Sequence, residues 1–316
     1  MSQHFIGLDL GTDSVKAVVI KQGLKGGEIV SSSFEPVIHD SNGDNTNFDV
    51  VAAAERLLGN LDSSLDVKNT PVYCSLPGDM VSIYKISLPA SASRRAKEVL
   101  LFELDELLPY SSDDAVFDFM EIKRTASDVL YSIAVVHRDR FKVWIETLQK
   151  AGIDPAEVNC APLVYSSYFN EAGRFNKVSV IVDIGYSRTN ISIAGDPVST
   201  SRTVLRGGRL MTSTLREAAS ADFETAEHHK ISEGLNGQVG KILEGSLEML
   251  VLEIRQTFNA HLAEGGAPVE EIYICGGSSK LLGLKDYLAA KLQLPVIELR
   301  NNHGSENQFV EHDERN

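Results

Sequence analysis

Asp9, Gly11, Thr12, Asp13, Ser14 and Lys16 fall within eight positions of one short stretch, "IGLDLGTDSVKAVVI" (residues 6 to 20). Carboxylates, a glycine, two hydroxyls and an ammonium in a single turn suit a polyphosphate. Backbone N–H groups at such a turn point outward, and a glycine lets a ligand approach with no Cβ in the way. The flanking residues are apolar and strand-like, so the sequence predicts a hairpin with its polar chemistry at the tip. Lys16 is expected to point inward and neutralise phosphate charge.

The same form returns in "VIVDIGYSRTNISIA" (residues 180 to 194), where placing Asp183 on Asp9 puts Gly185 on Gly11 and Asn190 on Lys16. An accidental turn does not recur with its acid and glycine in register. The chain therefore reads as two related α/β lobes whose hairpin tips face one cleft. Asp9 and Asp183 would together hold a hydrated Mg²⁺, an ion that takes few protein ligands and keeps several waters. A third stretch, "IYICGGSSK", reads as a strand end, a Gly276–Gly277 turn and a helix start at Ser278 and Ser279, a flat backbone surface for a base. Neither the G-x-x-x-x-G-K-[ST] loop nor a G-x-G-x-x-G after a strand is present.

The elements that must position these residues are legible in outline. The chain has 316 residues, 43% of them hydrophobic, which is enough for two lobes. Its 44 acidic and 30 basic side chains leave a formal charge of -14, which excludes attraction to nucleic acid by the whole-chain field, so a phosphate ligand needs a local site. Cys74, Cys160 and Cys275 stand far apart in apolar runs and are expected to be buried free thiols of a reducing compartment. The start, "MSQHFIGLDL", lacks a basic leader region, and no apolar run reaches the ~20 residues that span a bilayer, so a cytoplasmic protein without direct membrane insertion is expected. Between the hairpins, residues 93–109 read as a helix with Leu100, Leu104, Leu107 and Leu108 on one face, stopped by Pro109. Residues 115–123 and 129–136 read as paired strands. Residues 138–152 read as a helix with Phe141, Trp144, Ile145 and Leu148 inward and Gly152 as its left-handed cap. This set looks like a small subdomain inserted in the first lobe. Residues 35–48 are the most loop-like stretch, and residues 301–316 are polar and expected to fray. In the second lobe, residues 205–219 read as a Gly-Gly turn into a helix and 222–230 as a short helix. A longer helix is expected over 246–262, with Leu247, Leu250, Val251, Ile254, Phe258 and Leu262 on its apolar face. Residues 271–299 read as strand, turn, helix and strand.

Two Asp-x-Gly hairpins half a chain apart, followed by a strand into Gly-Gly-Ser, resemble the phosphate-1, phosphate-2 and adenosine motifs of the actin-like ATPase superfamily. Within it the chain is most similar to the PilM family of type IV pilus machines, itself akin to FtsA. "SLPGDMVSIYKISLP", "FELDELLPYSSDDAVFDF", "LQKAGIDPAEVN", "RGGRLMT", "LEIRQTF" and "GGSSKLLGLKDYL" are similar to PilM segments in the PilM order. The resemblance implies an actin-like (ribonuclease H-like) two-lobed α/β fold with an inserted 1C-type subdomain. Its parts are expected to be 1–79 and 156–176 for the first lobe, 80–155 for the insert, 177–295 for the second lobe and 296–316 for a terminal strand and tail.

The resemblance also implies ATP and Mg²⁺ as cofactors. Gly11, Thr12, Asp13, Ser14 and Lys16 would contact the phosphates, with Asp9 and Asp183 beside the metal. Gly185 and Thr189 would line the second phosphate loop, and Gly207 and Gly208 would belong to the same site. Glu227 and Lys230 would flank ribose and base, and Gly276, Gly277 and Ser278 would back the adenine. Tyr186 and Arg188 stand where the family pattern has small residues. The partner implied is the N-terminal cytoplasmic peptide of a PilN-like bitopic inner-membrane protein, in a groove between the first lobe and the insert. Assembly ATPases of the same machine are further partners, and self-association of the kind actin relatives show stays open. The protein would then sit at the inner membrane through its partners. Without an assignable water-activating residue, hydrolysis is expected to be slow or nil. Alternatives are a GspL-like component of type II secretion, or a small-molecule kinase of the same fold, which would need a carboxylate base in line with the γ-phosphate.

Overall fold

Alternating apolar residues on either side of the first Asp-x-Gly turn make β1 (Gln3–Leu10) and β2 (Ser14–Gly23) pair antiparallel, with Asp9 directly opposite Lys16. The computed structural model describes residues 3–23, 26–61, 65–161, 163–165, 177–195 and 200–299. β3 (Gly26–Pro36) continues the meander, while β4 (Val72–Leu76) and β8 (Pro155–Cys160) add in parallel, giving the sheet order β3-β2-β1-β4-β8. The second sheet repeats the plan. Its strands are β9 (Ser179–Ile184), β10 (Thr189–Ala194), β11 (Ser201–Val204), β12 (Glu271–Cys275) and β13 (Val296–Glu298), in the order β11-β10-β9-β12-β13. Asp183 pairs with Asn190 as Asp9 pairs with Lys16, so the echo in sequence is an echo in topology and register.

Each sheet buries one core. In the first lobe α1 (Asn47–Gly59) lays Val50, Val51, Ala54, Leu57 and Leu58 on β1 and β2. This helix was not expected within or after the loop-like stretch. It is started by a reciprocal cap in which Thr46 and Asp49 satisfy each other's backbone. In the second lobe α4 (Gly208–Ala219), α5 (Phe223–Glu233), α6 (Gly237–Ala263) and α7 (Leu284–Leu292) enclose the β-branched strands, with Leu243, Ile254, Leu284 and Leu288 wholly buried. Burying each such side chain contributes about 1.5–3 kcal/mol.

The insert is an antiparallel sheet, β5 (Val81–Pro89), β7 (Asp128–His137) and β6 (Ala115–Arg124) in the order β5-β7-β6, covered by α2 (Ala96–Leu107). It has a core of its own around Leu88, Leu100, Leu104 and Ile133. α3 (Arg138–Lys150) follows it in sequence, yet buries Trp144 and Leu148 in the core of the first lobe, and Gly152 closes it with φ +75°. Two expected core positions face outward. Leu107 is 48% exposed, because α2 ends there and the extended backbone at Leu108 turns the next leucine inward instead. Leu262 is 46% exposed in the last turn of α6, where the buried stripe through Ile254 and Thr257 runs on to His261 instead. The polar stretch 301–316 lies outside the described residues. Cys74, Cys160 and Cys275 are free, the first two buried, and burial pushes the Cys74 thiol up to about 12. Among the described residues no helix is long and apolar enough to cross a membrane.

Candidate functional site

The cross-strand pairing of β1 and β2 puts Asp9 and Lys16 side by side, Nζ 3.4 Å from Oδ2. At 63% and 53% exposed they are open to a ligand rather than committed to each other. Lys16 therefore stands at the mouth of the turn, its Nζ also 3.4 Å from the Ser14 carbonyl, and is not tucked inward. Gly11 must be glycine because a Cβ there would strike that same carbonyl. Asp13 is exposed at the tip. Thr12 reaches the other lobe: its Oγ1 is 2.8 Å from Oγ of Ser187. The Thr12 carbonyl accepts from Asn45 and lies 2.9 Å from Nε2 of His39.

Asp183 is the counterpart of Asp9 in the second hairpin. Burial raises its pKa, hydrogen bonds from Tyr165 and Asn190 oppose the rise, and the Asp9 carboxylate adds to it while Lys16 counters. The Thr12–Ser187 contact brings the two turns together, and Asp9 and Lys16 act on Asp183 across that meeting. The Tyr165 hydroxyl is held well above its ordinary value, first by burial and then by Asp183, Cys275 and Asp9. Two carboxylates within electrostatic reach, one of them desolvated, form the arrangement that a divalent cation relieves. Among the described residues no group of three or more His, Cys, Asp or Glu side chains comes together. Asp9 and Asp183 are the residues that could hold such a cation, provided it is one that takes few protein ligands.

The second loop is knitted to the other two glycine turns. The Gly185 carbonyl accepts from the Gly208 N–H at 3.0 Å and from Ser278 Oγ at 2.9 Å, and the Arg209 N–H donates to the Tyr186 carbonyl at 2.9 Å. A Cβ on Gly207 would enter the carbonyls of Gly185 and Tyr186, and one on Gly276 (φ +87°) would strike Oδ1 of Asp183. Gly207 and Gly208 are buried and back the loop, whereas Gly277 has open space where a Cβ would be. Thr189 is fully buried, and its hydroxyl donates to the Arg206 carbonyl at 2.6 Å, so it braces the loop from behind instead of lining it.

Glu227 and Lys230 are brought to the same place. Lys230 is buried, and Nζ donates to the Gly208 carbonyl (3.2 Å), Thr212 Oγ1 (2.8 Å) and Glu227 Oε2 (2.7 Å), which uses all three of its protons. It is a buttress, and Glu227, half-buried, is the member of the pair that a ligand could meet. His228 and His229 are exposed on the outer side of α5, where His229 contacts Glu233.

Sequence reasoning missed three sets of residues. Tyr165 carries no local signal, since its role depends on a fold contact with Asp183. Asn190 had a signal, its place opposite Asp183 by analogy with Lys16. The third set is a strap. Residues 37–46 leave β3 and cross to the second lobe, where the Gly43 carbonyl accepts from Tyr186 Oη at 2.8 Å and Arg209 Nε at 3.0 Å. Arg209 also pairs with Asp44 at 2.5 Å, and Arg216 donates to Asn42 Oδ1 at 3.0 Å. Gly43, at φ +72°, lies so close to the Phe223 ring that no Cβ fits. Tyr186 and Arg188, the bulky residues in a loop of small ones, are thus inter-lobe contacts: Arg188 pairs with Asp79.

Over residues 7–307 the chain matches the family model of the type IV pilus assembly protein PilM. The chain belongs to the PilM family. Among solved structures it is similar to the PilM–PilN type IV pilus biogenesis complex, at 20% identity and a TM-score of 0.79, covering 94% of this chain and 88% of that one. The ethanolamine utilization protein EutJ from Carboxydothermus hydrogenoformans is 15% identical with a TM-score of 0.54, over 93% of this chain and 84% of that one. MreB 5 of Spiroplasma citri bound to AMPPNP is 15% identical with a TM-score of 0.51, over 94% and 91%. No curated protein sequence matches. These likenesses are of fold, and the fold of this PilM-family chain is the two-lobed actin-like ATPase fold its hairpins predict.

Proposed function

We propose that this PilM-family chain is an Mg²⁺-ATP-binding scaffold of the type IV pilus assembly platform, cytoplasmic and held at the inner membrane through its partners. The observation that carries the reading is the pair of matching hairpins, Asp9 opposite Lys16 and Asp183 opposite Asn190, whose turns touch at Thr12 and Ser187, with the Asp183 carboxyl desolvated between them. The metal, when bound, supplies the positive charge that lets both carboxylates and a triphosphate share the space. Asp9 and Asp183 are the residues that hold it. Backbone N–H groups of Gly11 to Ser14 and the Lys16 ammonium, free to swing from Asp9, meet the phosphates, with Gly185 on the facing loop. Gly276, Gly277 and Ser278 back the base and Glu227 meets the ribose. Lys230, Thr189, Gly207 and Gly208 hold those surfaces in place from behind.

No described side chain has a placement that assigns it to water activation, so the chain is read as a binder with slow or no hydrolysis. MreB 5, with the same fold, is a nucleotide-bound protein, which supports ATP as the ligand class. The solved PilM–PilN complex supports the partner. We take it to be the N-terminal cytoplasmic peptide of a PilN-like bitopic protein, seated between the first lobe and the insert, with assembly ATPases as further contacts. Closure of the lobes on ATP would then bias which form the partner meets.

Titration calorimetry tests the site. Mg²⁺-ATP should bind the wild type, and Asp9→Ala and Asp183→Ala should each weaken binding at least about tenfold, the worth of roughly 1.4 kcal/mol. Unchanged affinity in Asp9→Ala removes the acid pair from the site. Fluorescence anisotropy with a labelled PilN-like tail peptide tests the partner separately.

A further inference from the structure

The residue that orients Asp183 is itself held by the root of the insert. Asn190 Nδ2 donates to Asp183 Oδ2 at 3.1 Å, and Asn190 Oδ1 accepts from Thr203 Oγ1 at 2.8 Å. Asn190 is buried, so this geometry has no solvent to soften it. Gly78, at the turn that leads into β5, packs on that pair so closely that a Cβ would collide with both Thr203 Oγ1 and Asn190 Oδ1. The next residue, Asp79, pairs with Arg188 of the second hairpin and also faces Arg140 of α3, 3.8 Å from its carboxylate. Further along β5, Lys85 donates to Thr200 Oγ1 at 2.9 Å and pairs with Glu264, both in the second lobe. The insert is thus stitched to the second lobe directly, along one strand, and not solely through the lobe it interrupts.

We infer that Gly78 and Asp79 are positioning residues of the nucleotide site, setting Asp183 through Asn190 and the second loop through Arg188, so that site occupancy and the posture of the insert are coupled along β5. The inference rests on the proposed Mg²⁺-ATP site and adds the residues that regulate it. A buried amide with both ends committed has one orientation. Displacing it moves the carboxylate it holds, and binding that pulls the carboxylate displaces it in turn, because coupling between two sites is reciprocal.

The test uses the full chain with Mg²⁺-ATP in two readouts. Hydrogen exchange over residues 81–89 should fall in the wild type when Mg²⁺-ATP is added, and this response should vanish in Asp79→Ala, whose side chain touches no proposed ligand contact. Asp79→Glu, which keeps a carboxylate for both Arg188 and Arg140, should retain it, and Arg188→Ala should lose it as Asp79→Ala does. By calorimetry Gly78→Ala should weaken Mg²⁺-ATP about fivefold or more. If Gly78→Ala fails to fold, the Asp79 arm decides alone. A wild type that binds while Asp79→Ala keeps the full exchange response overturns this coupling and leaves the site standing. A wild type that does not bind Mg²⁺-ATP overturns the site, and the coupling with it.

Discussion

Asp183 is the cleft carboxyl that burial acts on. A carboxyl raised by burial binds its proton more tightly in the folded chain than in the unfolded one. Between the unfolded value, ~3.9, and the raised folded value, the native state therefore holds more protons, and stability falls as pH rises through that window. At neutral pH and without a cation the charge is a burden, so Asp183→Asn should raise the melting temperature in EDTA at pH 7 while losing Mg²⁺-ATP binding. A lower melting temperature would mean that the Tyr165 and Asn190 hydrogen bonds outweigh desolvation. Asp9 and Lys16 make the opposite case: their pair is exposed, and exposed pairs are worth ~0–1 kcal/mol. Lys16→Ala should leave the melting curve within about 1 kcal/mol of wild type and still weaken Mg²⁺-ATP in a titration.

At the level of elements, what could be read in advance followed the range of the cause. The hairpins were legible because a strand, turn and strand is a local pattern, and the echo between Asp9 and Asp183 fixed how two of them relate. The insert's paired strands and the glycine stop at Gly152 were legible for the same reason. α1 was hidden because polar "SNGDNTN" precedes it and its apolar face is mostly alanine and valine, weak as a helical stripe. Its start depends on the Thr46 and Asp49 cap, with the Asp49 N–H donating to Thr46 Oγ1 at 3.4 Å and the Thr46 N–H to Asp49 Oδ2 at 2.7 Å. Thr46→Ala should cost about 1 kcal/mol in chemical denaturation. The Thr46 hydroxyl, which donates to Asp49 Oδ2 at 2.7 Å, and after it the Thr46 N–H lower the Asp49 pKa, so its contribution is complete above the unfolded value and is lost as pH falls through the folded one. The melting difference between wild type and Asp49→Asn should accordingly shrink below pH ~4. Tyr165, Arg188 and the strap were not legible as partners, since each acts through a residue remote in sequence.

Across the whole molecule the second lobe is held at two borders, by the strap through Tyr186, Arg209 and Arg216 and by Asp79 and β5 through Arg188, Thr200 and Glu264. The strap holds the Gly43 carbonyl between Tyr186 Oη and Arg209 Nε, and it also anchors the Thr12 carbonyl of the first hairpin through Asn45. Any opening wide enough to release a ligand past this border must break the contacts to the second lobe, so the strap acts on escape more than on fit. Tyr186→Phe isolates that role. It removes one hydroxyl, and the Gly43 carbonyl keeps its bond from Arg209, so no buried acceptor is orphaned and the fold should hold. Losing a hydrogen bond worth about 1 kcal/mol should speed release of a fluorescent ATP analogue about fivefold in stopped flow. Arg209→Ala, which also removes the Asp44 pair, should speed it further. An unaltered release rate in both variants would mean that the ligand leaves by the β5 border. In that event Asp79→Ala, which unlatches that border, should be the variant that releases faster.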